Sequence, residues 1–252
     1  MNDDTTGIKS YKSGPEISSD SDLLDLFHNS PIPQNQVLEN LGLFLTPKNF
    51  SRMLFMHHMY KQIIDVQGVV CDFGTRWGQN LALFSTFRGI YEPFNRHRNL
   101  IGFDTFQGFP DVESQDGGSD LMKAGNVSVT SAYEDYLNRL MALLEDNSPL
   151  NHIKKHEIIK GDATQTVPKY LEEHPETIIA LAYFDFDLYR PTKIVLEAIR
   201  DRVVKGTVIG FDELNDPDSP GETVALREVF GLNAIRLKRW PNVSRTSYFI
   251  VE

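Results

Sequence analysis

A single cysteine, Cys71, stands among the 252 residues, so neither an intramolecular disulfide nor a thiolate metal cage can form. Long hydrophobic runs are missing as well: the longest, Ile178 to Phe184, is far too short to span a bilayer. Positive charge is in deficit. Twenty-five Lys and Arg face 35 Asp and Glu, a net charge of −10, which excludes the electropositive surface that sequence-independent nucleic-acid or anionic-membrane binding needs. No apolar segment follows the acidic start Met1–Asp4, so no secretory signal is expected. The expected compartment is the reducing cytoplasm, where the sequons at Asn49, Asn126 and Asn242 are chance matches. What remains, 40% hydrophobic and 24% charged, has the make-up of a globular domain large enough to fold without staples.

Residues 1–20 are polar and read as a flexible tail. Residues 21–66 read as an N-terminal helical cap, with one short helix over Ser21–His28 and a second from Pro47. On the second, Phe50, Met53, Leu54, His57, Tyr60 and Ile64 recur along one face. From residue 67 to 252 apolar runs alternate with helical patterns. Strands are expected at Gly68–Phe73, Asn99–Phe103, His156–Ile159, Ile178–Phe184, Gly206–Phe211, Ala234–Lys238 and Ser247–Val251. Helices are expected at Gln79–Arg88, Ala132–Glu145, Thr164–Glu173, Pro191–Val203 and Pro220–Phe230. Ser131-x-x-Glu134 and Ser219-x-x-Glu222 have the form of capping boxes, and Asp162-x-x-Gln165 follows the same logic. The alternation implies an α/β fold, a doubly wound, mainly parallel seven-stranded sheet. The last two strands, joined by a turn at Pro241-Asn242, make an antiparallel edge hairpin.

Ligands of such sheets bind at the carboxyl ends of the strands. The first strand exits through Asp72-Phe73-Gly74-Thr75-Arg76-Trp77-Gly78, which is not the dinucleotide fingerprint. An acid followed by spaced glycines suits a cofactor with an amino-acid end, whose ammonium Asp72 can hold; a plain βα turn with Asp72 as a cap fits equally. Asp104 follows Gly78 by 26 residues, where an acid can bond both ribose hydroxyls of an adenosine cofactor, with Thr105 beside it and Phe106 stacked on the adenine. Asp162, at the third exit, can accept from the adenine amino group, cap the next helix, or both.

The fourth exit, Tyr183-Phe184-Asp185-Phe186-Asp187-Leu188-Tyr189, puts two carboxylates two residues apart on the same side of the strand. The fifth, Phe211-Asp212-Glu213, adds more acids on a neighbouring strand. Three carboxylates about 4 Å apart repel by roughly 4 kcal/mol per pair at a surface-like dielectric. A cation relieves that repulsion, and an oxygen-only donor set favours Mg²⁺ or another hard divalent ion. A solvated acidic rim accounts for Asp216 and Asp218, but poorly for Asp185 between two phenylalanines.

Taken together, Asp72–Gly78, Asp104-Thr105-Phe106-Gln107-Gly108-Phe109-Pro110, Asp185-Phe186-Asp187-Leu188-Tyr189 and Asp212-Glu213 resemble the macrocin O-methyltransferase family of class I S-adenosylmethionine (SAM)-dependent enzymes. The run from Phe211 through Pro220-Gly221-Glu222 to Ala225-Leu226-Arg227 is similar to the branch that methylates deoxysugars in antibiotic pathways of the calicheamicin type. The resemblance, over residues 47–252, implies a Rossmann-like methyltransferase domain over 67–252. It implies SAM at Asp72, Gly74, Arg76, Trp77, Gly78, Asp104, Thr105, Phe106 and Asp162, and a divalent metal on Asp185, Asp212 and Glu213. It also implies Asp187 as the general base. Two departures stand out: Glu213 occupies a position where the family often has Asp, and Arg76 one where many methyltransferases have glycine.

The expected function is SAM- and Mg²⁺-dependent O-methylation of a sugar hydroxyl, on a nucleotide-linked sugar or a glycosylated natural product, by a homo-oligomer. A catechol-type methyltransferase is the nearest alternative, because vicinal sugar hydroxyls and catechols look alike to a metal. A SAM- or nucleotide-binding regulatory module without catalysis is a more distant one, since binding alone needs no base beside a metal. His57 is expected in the core or pocket wall, His58 towards the site mouth, Arg190 near a substrate phosphate or on the surface, and Asp111–Thr130 as a lid or an insertion.

Overall fold

Apolar residues at consecutive positions need cover on both faces, and the strands with such runs lie at the centre of the sheet. In the computed structural model, which describes residues 11–252, β1 (Val69–Phe73) and β4 (Ile179–Phe184) are buried at every position. With β2 (Leu100–Asp104), β3 (His156–Lys160) and β5 (Val203–Phe211) they form a parallel array. Two short strands, β6 (Lys238–Arg239) and β7 (Ser247–Ile250), complete it antiparallel, giving the order β3-β2-β1-β4-β5-β7-β6. The expected seven-stranded sheet and its edge hairpin are both present. The expected strand over Ala234–Lys238 is not: Gly231 at φ +75° opens a turn in which the Ala234 N–H donates to the Gly231 carbonyl (3.0 Å), and pairing starts only at Lys238.

Helices α1 (Gly14–His28), α2 (Pro47–Gln62), α3 (Gln79–Tyr91), α4 (Tyr133–Asp146), α5 (Ala163–Glu173), α6 (Tyr189–Ala198) and α7 (Gly221–Val229) complete the described elements of more than one turn, apart from 3-10 segments at Leu38–Phe44 and elsewhere. One sheet face packs Cys71, Phe73, Phe184 and Phe211 against Val167 of α5, Leu196 of α6 and Leu226 of α7. The opposite face packs Val70, Leu181 and Tyr183 against Phe55 and Met59 of α2, Phe84 of α3 and Leu137 of α4.

The N-terminal region differs from its expectation in two ways. Of the expected tail, residues 1–10 lie outside the described range, while α1 already starts at Gly14. No residue from 11 to 50 is buried, whereas α2 is part of the core. Its buried face is Ser51, Phe55, Met56, Met59 and Tyr60, with Ile63 just beyond its end; Phe50 and Leu54 are exposed. Two apolar stripes overlap on this helix about one residue, or 100°, apart. The sheet takes the stripe that brings Met59 to Gly210, where an added Cβ would lie 2.6 Å from the Met59 sulfur.

Thr46 and Asp162 cap α2 and α5 by accepting from Asn49 N–H (3.3 Å) and Thr164 N–H (2.9 Å). The capping boxes at Ser131 and Ser219 do not form. Ala132, left-handed at φ +58°, precedes α4 while Glu134 pairs with Lys160, and Glu222 is drawn away from the start of α7 into the site described below.

Candidate active site

The exits of β1 to β5 open into one cavity of about 310 Å³. One side of it is built on the turn after β1. Gly74 sits at φ +90°, and a Cβ there would lie 2.1 Å from the Asp185 carbonyl oxygen, so only glycine fits. The Asp104 carboxylate accepts from Arg76 N–H (2.7 Å) and Phe106 N–H (2.5 Å), residues at φ +47° and +56°. One carboxylate thereby holds two left-handed turns while still facing the cavity. Burial raises its pKa against these two bonds.

Asp72 lies fully buried behind the wall. One oxygen accepts from the Asn80 amide (3.3 Å), and the other has no hydrogen-bond partner among the described residues. Burial pushes its pKa up to about 6. Asn80, at the wall, stands between Asp72 and the cavity. Gly74, Arg76, Trp77, Thr105 and Asp162 line the cavity as expected of contact residues, but Gly78 and Phe106 do not. Gly78 provides a left-handed turn ahead of α3, and a Cβ on it would lie 2.4 Å from Leu137. Phe106 was expected over the adenine. Its left-handed backbone instead turns the ring into the core beside Phe84 and Leu137, leaving it 5% exposed.

Beside the turn after β1 carboxylates converge. Asp185, Asp187 and Glu213 each offer an oxygen within 4.8 Å of the other two. Asp212, expected among the ligands, is beside them but engaged elsewhere: it accepts from the Tyr183 hydroxyl (2.5 Å) and from Arg52 (2.5 Å), which also donates to Asp185 (2.7 Å). Arg245 pairs with Glu213 (2.7 Å) and Asp216 (3.0 Å). Burial would raise Asp212, but Arg52, Tyr183 and the other neighbours outweigh it and hold the carboxyl below its ordinary value. Burial and then the charge of Asp212 push Asp185 well up; burial and then Asp187 do the same to Glu213. Burial also raises Asp187.

This donor set can hold a hard divalent cation: it is all oxygen, crowded with like charge, and includes the buried Glu213 Oε2, which has no hydrogen-bond partner among the described residues. Arg52, Tyr183 and Arg245 escape sequence reasoning, because α2, β4 and the β6–β7 turn meet only in three dimensions. Arg52 leaves one local trace, a charged residue on the edge of a buried helix face.

Residues 111–130 form a wall. Asp116, in a 3-10 turn over Ser114–Asp116, accepts from Tyr189 N–H (2.5 Å) at the start of α6. Phe109, Met122 and Leu188 pack together, and Leu121 and Val127 face the cavity. His57 and His58 share hydrogen bonds with the hydroxyls of Tyr91 (2.5 Å) and Tyr248 (2.8 Å) and do not line the cavity. Arg190 is exposed and off the wall.

No protein-family model and no curated protein matches the chain. Among solved structures, it is similar to a crystal structure of CalS11, calicheamicin methyltransferase, at 41% identity and a TM-score of 0.93, over 96% of this chain and 94% of that one. An apo structure of CalS11, described as TDP-rhamnose 3′-O-methyltransferase of calicheamicin biosynthesis, gives 38% identity and a TM-score of 0.85 over 96% of both chains. The O-methyltransferase NovP, at 18% identity and a TM-score of 0.60 over 80% of this chain and 79% of that one, shares the fold.

Proposed function

The chain belongs to the macrocin-type family of SAM-dependent O-methyltransferases, in the branch that methylates deoxysugars, and on that premise we propose that it methylates a hydroxyl of a nucleoside-diphosphate-linked deoxysugar, of the TDP-rhamnose kind, with a divalent cation, Mg²⁺ by preference. The observation that carries this reading is the meeting of two unlike sets of groups in one cavity, a glycine turn with Asp104 beside the Asp185, Asp187 and Glu213 carboxylates.

In this reading Asp104 and Thr105 receive the ribose, and Asp162 receives the adenine. The buried Asp72 sets a negative potential behind Asn80, where the ammonium of the methionine end lies. Trp77, edge-on to Tyr133, closes the outer side. Together these contacts hold the sulfonium methyl in line with the acceptor, a positioning contribution. Asp185 and Glu213 would hold the cation, with Asp212 as third ligand in exchange for its present bond to Arg52, which leaves Asp187 of the converging acids free for the acceptor. A bound divalent cation supplies Lewis acidity, which lowers the pKa of the acceptor hydroxyl. Asp187 takes the hydroxyl proton as the new C–O bond forms and the C–S bond breaks, leaving S-adenosylhomocysteine.

The test is a mass measurement on SAM, Mg²⁺ and a panel of TDP-deoxysugars, free glycosides and catechols. A product heavier by one CH₂ on a TDP-deoxysugar, lost with EDTA and regained with Mg²⁺, is expected. Methylation of catechols alone would refute the sugar assignment, and full turnover after exhaustive chelation would remove the cation.

A further inference from the structure

The Pro220-Gly221-Glu222 run has no role in the scheme above, yet it sits against the acidic cluster. Strands β4 and β5 pair in parallel as far as Phe184 and Phe211, and the Asp212 N–H donates to the Phe184 carbonyl (3.0 Å). The acids lie just beyond, on two turns that the sheet ladder no longer holds. There the Glu222 side chain reaches back from the first turn of α7. Its Oε1 accepts from Phe186 N–H (3.0 Å) and its Oε2 from Glu213 N–H (3.3 Å). Glu222 is fully buried. Gly221 permits the approach, since a Cβ there would lie 2.5 Å from the Tyr189 nitrogen and 2.9 Å from the Asp187 carbonyl oxygen.

We infer that Glu222 is a positioning residue for the cation site: its two oxygens replace the missing rungs between the β4 and β5 exits and so set the distance from Asp185 and Asp187 to Glu213. Phe186 lies between the two aspartates, so fixing its amide fixes both neighbours. Fixing the Glu213 amide does the same for the third acid. This inference rests on the divalent-cation reading of the site. A carboxylate with two acceptor oxygens is needed. Glutamine keeps one and turns an NH₂ group towards the other N–H; aspartate is one methylene short of bridging the turns.

Calorimetric titration of Mn²⁺ into the wild-type protein, E222Q and E222D tests this, with S-adenosylhomocysteine titrations and melting curves alongside. Loss of such an outer-shell partner weakens metal binding by about 10–100-fold. That weakening is expected in both variants, with S-adenosylhomocysteine affinity retained. A residue serving stability alone would lower the melting temperature and leave Mn²⁺ affinity of the folded fraction unchanged, which overturns the inference. Absence of Mn²⁺ binding in the wild type overturns the cation reading itself, and this inference with it. Should neither variant fold, amide exchange in the wild type decides: slow exchange at Phe186 and Glu213 is expected, and free exchange at either overturns the bridge.

Discussion

Replacing Asp187 with asparagine should lower activity and raise stability at once. Asparagine is the appropriate substitution because Asp187 sits at φ +61°, a left-handed conformation that Asn and Asp tolerate better than most residues. It also keeps the shape and can donate to the adjacent Glu213 carboxylate. Two unit charges 4.8 Å apart repel by roughly 3–4 kcal/mol at an effective dielectric of 20, and closer ones repel more. Burial raises Asp187, so part of that repulsion is already relieved by protonation. A gain of about 1–2 kcal/mol in the chelated protein should remain, or roughly 2–8 °C in melting temperature for a chain of this size. If Asp187 is the base, as proposed, its loss should lower kcat by about 10²–10⁴-fold. The assay pairs kcat under saturating Mg²⁺ with melting curves in EDTA. A folded variant with near-wild-type kcat places the base elsewhere. A variant that melts lower in EDTA refutes the electrostatic account of the cluster.

Asp72→Asn should stabilise the ligand-free protein in a pH-dependent way. Because burial raises this carboxyl to about 6, the folded state favours its neutral form, and the cost of ionising it grows as pH rises from the ordinary carboxyl range through 6. The variant should gain at most about 3 kcal/mol at pH 8 and nothing at pH 4, while S-adenosylhomocysteine binding weakens; urea melts showing equal gains at both pH values would contradict the burial argument. Phe106→Ala should cost about 3–5 kcal/mol of stability, as for other buried aromatics, while the folded fraction keeps its S-adenosylhomocysteine affinity. Loss of affinity without loss of stability would return the ring to the adenine.

The parts of the fold legible in the sequence were those whose determinants are local. Strands β1 and β4 read as strands because burial on both faces demands apolar runs, broken in β1 only by the buried Asp72, and Asp162 read as a cap because its partner, Thr164, is two residues away. The face of α2 did not, since two stripes of similar hydrophobicity compete and only the sheet chooses between them. Ser219-x-x-Glu222 matches a capping box by spacing, but the two amides left beyond the β4–β5 ladder claim the glutamate. The acids of the site were visible as a pattern. The guanidinium groups of Arg52 and Arg245 that neutralise them were not, because no local spacing records a contact across 133 or more residues of chain to Asp185 or the ion pair of Arg245 with Glu213.

The close approach of Gly74 to the Asp185 carbonyl has a consequence for how such an enzyme can diversify. The backbone of the donor turn and the backbone carrying the first acid of the pair are in van der Waals contact, with no side chain between them to absorb a change. Drift in one turn is transmitted to the other, so methyl donor and acid cluster are inherited as a single part. Freedom to accept a different sugar is left to the wall that does not pass through that contact, the 109–127 segment, where Leu121 and Val127 face the cavity.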